Sequence, residues 1–259
     1  MAQLLDNNVL PGEPVTRFIN ALCGRYPNFA ELRFRKYVPT DGLSERLKSL
    51  KAPDRSGIVD HHPPESAPDG EWLTAAKSIA LQTGTMLWNV VAEMVMKEGK
   101  QLPRDALIEA LVHRHSESER TLVLTRREMS DGGLKLITQG LRGTESLALC
   151  SEVRLIEGYG AHIPMLDFAC AKTPANQSAI CSMLGEIGQN GVVVDSGKSY
   201  HFLGASILTS DEWIRFMGRA LLFAPFIDTR FIGHRLLDGE CTLRLTAKDG
   251  KIPSIERCI

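Results

Sequence analysis

The chain has 259 residues, of which 43% are hydrophobic and 24% charged, and its formal net charge is -1. This length suits one large domain, or a core domain with a smaller appendage. The near-neutral charge excludes a global field that would draw the protein onto nucleic acid or an anionic membrane, so any nucleic-acid contact must come from a local basic patch.

The cysteines and the N-terminus both indicate a cytoplasmic protein. The six cysteines form no C-x-x-C pair and no cluster with histidine, which argues against a zinc site and favours reduced thiols. The first residues, M-A-Q-L-L-D-N-N, lack the basic start and apolar core of a signal peptide, and no apolar run is long enough to span a membrane. We therefore expect no membrane partner.

The first 50 residues carry the pattern of a helix followed by a strand. Val15, Phe18, Ile19 and Leu22 recur at helical spacing after Pro14. The following run F-A-E-L-R-F-R-K-Y alternates as a strand does, with two arginines on the face opposite its apolar residues. Those arginines, Arg33 and Arg35, form either a phosphate-contacting surface or a solvated basic face.

Residues 51–145 differ in composition from the flanking sequence. A proline-rich and polar loop contains Asp60-His61-His62, which lacks a downstream partner at helical spacing and is better explained as an exposed loop than as a metal site. Apolar spacing from Trp72 to Gly99 and again after Pro103 predicts helices, and T-L-V-L-T predicts a strand. We interpret this region as a linker and a mainly helical insertion or cap.

From Leu147 onward, strand and helix patterns alternate. The runs C-S-E-V-R-L-I-E-G and H-I-P-M-L-D-F-A-C predict two strands, and Thr173-Pro174 begins a helix. A valine strand with its hairpin return, a helix capped by Ser210, a short element D-T-R-F-I-G-H-R-L-L and a last strand C-T-L-R-L-T follow. This order favours an α+β fold with an antiparallel or mixed sheet and helices on one face.

The stretch from Gly191 to Phe202 predicts a buried strand, a tight turn at D-S-G and a return strand. The return strand directs the side chains of Ser199 and His201 to the same face. The triplet Gly197-Lys198-Ser199 is similar to the end of a phosphate-binding P-loop. The first glycine of that loop is misplaced, however, and S-Y-H-F-L-G does not open a helix, which argues against a nucleoside triphosphatase.

Three polar residues stand out against this apolar framework. Asp167 interrupts the run M-L-D-F-A, Asp228 follows L-L-F-A-P-F-I, and His201 follows Tyr200. Taken singly, they are explained by a salt bridge, a helix cap and a core histidine. Taken together, two carboxylates beside a histidine and a serine predict a divalent-cation site that holds a nucleoside triphosphate.

These motifs resemble those of the archaeo-eukaryotic primase superfamily, in particular the primase-polymerase-like members of bacteria and mobile elements. L-D-F-A is similar to the first motif, V-V-V-D-S-G-K-S-Y-H-F to the second and F-I-D-T-R to the third. The closing L-R-L-T with Arg244 resembles the arginine strand of the family, and F-A-E-L-R-F-R resembles its N-terminal strand. The resemblance covers about residues 145–259 well and the first 50 residues loosely.

The resemblance implies an RRM-like primase-polymerase core, a mixed or antiparallel sheet packed with helices, plus a helical insertion. It divides the chain into an N-terminal helix and strand (1–50), the insertion (51–145) and a catalytic core (146–259). It also implies nucleotidyl transfer, with a nucleoside triphosphate, single-stranded or primed nucleic acid and protein partners as ligands.

The resemblance further assigns roles to individual residues. Asp167 and Asp228 would ligate Mg²⁺ or Mn²⁺ and, with His201, form the catalytic group. The nucleotide would be held by residues of the second motif and of the arginine strand: Lys198, Ser199, His201 and Arg244.

One position departs from the family pattern. Ala169 stands where the second acid of the first motif is expected. Either a neighbouring acid such as Asp195 or Glu157 replaces it, or the fold has lost polymerisation. In the second case it acts as a nucleic-acid-binding or protein-interaction module in a replication or antiviral defence system. Both alternatives stay open from the sequence.

Overall fold

The computed structural model describes residues 9–39, 75–76, 78–79, 82–83, 87–98, 119–197, 199–224, 226–247 and 251–259. Contacts divide the chain into two compact units, one made of Met1–Val38 with Ser116–Ile259 and the other of Pro39–His115. Asp60-His61-His62, the helix predicted after Pro103 and Lys198 lie outside the described residues.

The part of the chain that the structure describes contains seven α-helices and nine β-strands. The helices are α1 (Val15–Arg25), α2 (Leu87–Glu98), α3 (Arg126–Ser130), α4 (Gly133–Gln139), α5 (Pro174–Glu186), α6 (Ser210–Leu221) and α7 (Thr229–Asp238). The strands are β1 (Phe29–Tyr37), β2 (Arg120–Thr125), β3 (Ser146–Leu155), β4 (Gly160–His162), β5 (Met165–Asp167), β6 (Gly191–Asp195), β7 (Tyr200–Gly204), β8 (Thr242–Arg244) and β9 (Ser254–Cys258).

The strands of the first unit form two sheets, and within each sheet all the strand pairs are antiparallel. The first sheet has the order β2-β1-β3-β4, and β8 also pairs with β3. The second sheet has the order β5-β7-β6-β9. The predicted α+β class is therefore confirmed, and the element order β5, α5, β6, β7, α6 follows the predicted series.

The N-terminal prediction is confirmed by burial. Val15, Phe18, Ile19 and Leu22 of α1 are all buried, because residues three and four apart share one face of a helix. They belong to the same apolar core as the inward-facing residues of both sheets. The second sheet, which carries Asp167 and His201, packs on this core.

The run H-I-P-M-L-D-F-A-C was predicted as one strand, and this was wrong. Its first residue, His162, ends β4 of the first sheet, and Met165–Asp167 form β5 of the second, with Ile163 and Pro164 between the two strands. Proline has no amide hydrogen to continue a ladder, which gives a physical reason for the break. The chain thus crosses between the sheets immediately before Asp167.

Two other element predictions need correction, and a third is now specified. The helix after residue 209 is capped by Thr209, not Ser210, and its capping box pairs Thr209 with Glu212. The short element D-T-R-F-I-G-H-R-L-L is the helix α7. The last strand is β9, which pairs with β6, whereas C-T-L-R-L-T contains β8 of the first sheet.

The strand β2 pairs with β1, so residues 120–125 lie in the first sheet. The division by composition groups them with the insertion at 51–145, whereas the compact second unit spans Pro39–His115. Within that unit, the described helix α2 buries Val90 and Val91.

The predicted basic face of β1 carries ion pairs with glutamates. Arg33 pairs with Glu152 and lies 3.6 Å from Glu240, while Arg35 pairs with Glu240 and, at 2.6 Å, with Glu119. Glu240 is buried, and a buried carboxylate requires opposite charge nearby. The two arginines supply that charge, an arrangement that neither sequence alternative described.

Two glycines allow the close approach of chains around β7. A Cβ added to Gly191 would collide with the backbone oxygen of Leu203, and one added to Gly204 would lie 2.7 Å from the ring of Pro164. Both positions therefore need a residue without a side chain.

In the described residues, no helix is long and apolar enough to cross a membrane.

Candidate functional site

The first two candidate residues lie side by side on paired strands. Asp167 ends β5, and His201 lies opposite it on β7. Residues directly opposite in a sheet point to the same face, and here His201 Nε2 lies 3.6 Å from Asp167 Oδ1. The Asp167 side chain is 30% exposed and that of His201 10%, so the pair sits at the edge of the core with an opening to solvent.

Asp228 also lies next to Asp167, but it belongs to a helix end. It is not on a strand but is the N-cap of α7, where its Oδ1 accepts hydrogen bonds from the backbone N–H groups of Arg230 and Phe231, both at 3.0 Å. Its own N–H donates to the backbone oxygen of Asp167 at 3.0 Å. Asp228 therefore caps the helix, and its backbone lies next to that of Asp167. We call Asp167, His201 and Asp228 the Asp–His–Asp site.

The environment of Asp167 favours its neutral form. Burial, and next the nearby negative charge of Asp228, raise the pKa of its carboxyl to about 7. Hydrogen bonds from the Phe168 N–H and the Ser199 hydroxyl, and the positive charge of Arg235, oppose this rise without overcoming it. The two carboxylates therefore repel each other when both are ionised, and a bound cation would relieve that repulsion.

His201 is a neutral imidazole in the physiological range. Burial, with a further contribution from the positive charge of Arg244, lowers its pKa to about 3, although the charge of Asp195 acts in the opposite direction. Its Nδ1 is buried and has no hydrogen-bond partner in the part of the chain that is described. The separation of 3.6 Å from Asp167 exceeds a normal hydrogen-bond length, so the ring keeps hydrogen-bonding capacity.

The predicted turn at D-S-G is held from both ends. The N–H of Gly197 donates to Asp195 Oδ1 at 2.7 Å, and both the N–H and the hydroxyl of Ser196 donate to the backbone oxygen of Ser199. Gly197 has a φ of 109°, a conformation that favours glycine. Lys172 binds both Asp195 oxygens, at 2.8 and 2.6 Å. These contacts fix Ser199 next to Asp167.

Arg244 lies between the two sheets. It extends from β8 of the first sheet and donates to the backbone oxygens of Ser196, at 2.7 Å, and of Thr246. The positive charge of Arg244 lowers the pKa of His201, so this residue lies near the site. Its hydrogen bond to Ser196 also stabilises the D-S-G turn. Lys198, the other predicted phosphate-neutralising residue, lies outside the described residues.

The position of the missing acid is occupied by a small side chain. Ala169 donates its N–H to Phe226 O at 2.7 Å. Of the two proposed replacements for the acid, Asp195 acts on His201 by its charge but is bound by Lys172, and Glu157 is exposed in the turn between β3 and β4. Among the described residues, no group of three or more His, Cys, Asp or Glu side chains could hold a metal ion.

Sequence reasoning missed Arg235. This buried residue of α7 donates to Asp238 Oδ2 at 3.1 Å, stacks its guanidinium over Phe231 at 5.5 Å and lowers the pKa of Asp167 by its charge. It follows Asp228 by seven residues, which is two helical turns, so the two share one side of α7. Recognising D-T-R-F-I-G-H-R-L-L as a helix would have revealed this relation.

The comparisons with known proteins agree with the motifs. A family model described as archaeo-eukaryotic primase 1D-like matches residues 125–257, just over half of the chain. The chain belongs to the archaeo-eukaryotic primase superfamily. The stretch matched to this primase family contains the whole Asp–His–Asp site and Arg244. Comparison with the curated proteins and with the solved structures gives no match.

The residues of this primase-family site fit one divalent cation but not two. Mg²⁺ is usually bound in proteins by one or two carboxylates, with substrate phosphates and water completing its shell. Asp167 and Asp228 supply that number of carboxylates, and burial together with the charge of Asp228 disfavours an ionised Asp167 in the absence of positive charge. A second cation would need further carboxylates, which Ala169 does not supply.

Proposed function

We propose that this primase-superfamily domain binds the triphosphate of a nucleoside triphosphate with one Mg²⁺ or Mn²⁺ and transfers the nucleotidyl group to a nucleic-acid strand. The observation that carries this proposal is that Asp228 lies close enough to Asp167 for its charge to act on that carboxyl, beside the neutral ring of His201. A replication role for a mobile element and a bacterial defence role both suit this activity.

The two carboxylates would hold the cation. When bound, the cation would neutralise phosphate charge and polarise the phosphorus–oxygen bond under attack. The carboxylates are held in place before any ligand arrives, Asp228 by its cap hydrogen bonds and Asp167 by the β5–β7 pairing. Such preorganisation lowers the cost of assembling the site in the transition state.

The other side chains would orient the triphosphate. His201 is neutral and would donate one hydrogen bond to a phosphate oxygen without adding charge. Ser199, fixed by the turn, would exchange its hydrogen bond to Asp167 for one to phosphate. Arg244 would contribute positive charge and keep the turn in position. The nucleophile would be the 3′-hydroxyl of the strand or of an initiating nucleotide, and pyrophosphate would leave.

The test is primer synthesis and extension with labelled nucleoside triphosphates, Mn²⁺ and single-stranded template. Wild type is compared with Asp167→Ala, His201→Ala and Asp228→Asn, the last of which keeps a capping side chain while removing the charge. Asp131→Asn is the matched control, because Asp131 is an acid outside the site whose side chain is 70% exposed. Extension by wild type and by Asp131→Asn, with loss in all three site variants, is the expected result.

Nucleotide binding is measured beside extension, so that two failures can be told apart. Equilibrium dialysis with Mn²⁺ and a labelled triphosphate should give tight retention by wild type and weak retention by Asp167→Ala. Retention without extension by wild type would contradict the transfer step but keep the binding site. Absence of both would reject the proposal and leave a domain that acts through protein contacts.

A second function is favoured by one specific observation, the alanine at position 169. With a single cation position, the domain would bind nucleotide or nucleic acid without polymerising. Ala169→Asp separates the alternatives, because it adds a carboxylate at the family position of the missing acid. If the wild-type site polymerises slowly for lack of that acid, Ala169→Asp raises the extension rate. An unchanged or lower rate would count against the assignment of Ala169 to that motif position.

A further inference from the structure

A second concave site lies at the edge of the first sheet, where β1 ends and β2 begins. It has a volume of about 310 Å³, at the lower end of the range for small-molecule sites. Its lining includes three basic residues, Lys36, Arg120 and Arg142, and two acidic ones, Glu119 and Glu145. None of these residues belongs to the Asp–His–Asp site. We call this cavity the β1–β2 pocket.

The acidic residues of the β1–β2 pocket are engaged by partners. Glu119 pairs with Arg35 at 2.6 Å. Glu145 accepts from Lys36 Nζ and from the backbone N–H of Arg142, both at 2.8 Å, and these bonds lower its pKa, with the Lys36 bond contributing most. The guanidinium groups of Arg120 and Arg142, in contrast, make no hydrogen bond or ion pair with the described residues. The lining therefore carries three basic against two acidic residues, and the guanidinium groups of Arg120 and Arg142 keep donors that no described residue uses.

The register of the sheet makes this charge pattern unfavourable without a ligand. Lys36 and Arg120 are directly opposite each other on antiparallel strands, so their side chains leave the same face. Like charges in that arrangement repel. Glu145 pairs with Lys36, and the charges of Glu145 and Arg142 also attract each other, whereas Arg120 makes no ion pair with the described residues. A departure from a local rule at a concave site is typical of a position that meets a ligand.

We infer that the β1–β2 pocket binds a phosphate group, with the guanidinium groups of Arg120 and Arg142 as its donors. Arginine presents a planar fork of donors that matches two phosphate oxygens. Lys36, held by Glu145, closes the floor of the pocket and adds charge at longer range. The volume admits a phosphate with its attached sugar, so the phosphate belongs either to the backbone of a single strand or to a small phosphorylated molecule. This inference does not rest on the activity proposed for the Asp–His–Asp site.

The experiment compares Arg120→Gln/Arg142→Gln with a control of equal charge change, Arg17→Gln/Arg127→Gln. Arg17 and Arg127 are 60% and 91% exposed and lie outside the pocket. Binding of a fluorescent single-stranded oligonucleotide is followed by anisotropy from 50 to 200 mM salt. Each lost phosphate contact should flatten the logarithmic salt dependence by about 0.7, which is about 2.6-fold in affinity over that range. Arg120→Gln/Arg142→Gln should show this change, and the control should not.

A second measurement tests whether the bound phosphate belongs to a small molecule. The side-chain Nε–Hε resonances of Arg120 and Arg142 are monitored by NMR while inorganic phosphate is added to the full chain. Shifts on phosphate addition, with an unchanged oligonucleotide salt slope in the pocket variant, indicate a small phosphorylated ligand. A changed slope indicates a strand backbone. No shift and no change in slope overturns the inference.

Discussion

Replacement of Asp167 by asparagine should change how the stability of the protein depends on pH. The pKa of Asp167 in the folded protein is about 7, against an ordinary value of 3.8. Between these values the folded state holds a proton that the unfolded state has lost, so this carboxyl makes stability fall as pH rises from 4 to 7. Asparagine has nearly the same shape and no proton to lose, so the variant lacks this fall.

The expected magnitude follows from the size of the shift. A difference of about three pKa units, at 1.36 kcal/mol each, corresponds to about 4 kcal/mol as an upper value. Because 30% of the side chain is exposed, water relieves part of this cost, and we expect about 2–4 kcal/mol. Asp167→Asn should therefore match wild type at pH 4 and exceed its free energy of unfolding by that amount at pH 8.

The assay is urea denaturation followed by the fluorescence of the tryptophans, which include the buried Trp213. Profiles of wild type and Asp167→Asn are collected from pH 4 to 8, and their difference is plotted, so that groups titrating equally in both proteins cancel. Parallel profiles would refute the reasoning, because they would mean that Asp167 ionises in the folded protein as it does in the unfolded chain.

Three further outcomes are expected. Asp228→Ala should lower the free energy of unfolding by about 1 kcal/mol through loss of the cap of α7, whereas Asp228→Asn should stay within a few tenths, as measured by urea denaturation. Gly191→Ala should unfold the protein or cost several kcal/mol through its collision with Leu203, while Gly218→Ala, exposed within α6 with open space around it, should gain up to about 1 kcal/mol. Mn²⁺ at pH 8 should raise the Tm of wild type but not of Asp167→Asn, and an equal rise in both would contradict cation binding at that carboxylate.

The most local features were predictable from the sequence. The apolar face of α1 and the valine strand with its glycine turn depend on spacing and on backbone preferences that neighbouring residues alone impose. The motif around Ser199 and His201 belongs to this class, because both side chains follow from the period of one strand. The match of residues 125–257 to the primase family agrees with that local signal.

Other features needed contacts between distant segments. Pro164 explains why β4 and β5 separate, yet only the pairings reveal that they join different sheets. Likewise, the dual position of Asp228 as cap and as neighbour of Asp167 depends on where α7 begins in space. In the same way, which arginines of the β1–β2 pocket lack an ion-pair partner among the described residues depends on pairs between distant segments, such as Lys36 with Glu145 and Arg35 with Glu119.

By itself, the sequence determined the α+β class, the hairpin that carries Ser199 and His201, and the superfamily, because each rests on residues close together in the chain. Only the tertiary structure decided that Asp167, His201 and Asp228 lie together and that the charge of Asp228 acts on the carboxyl of Asp167. Electrostatic coupling depends on distance and burial, and both are set when two sheets and a helix end pack around a common core.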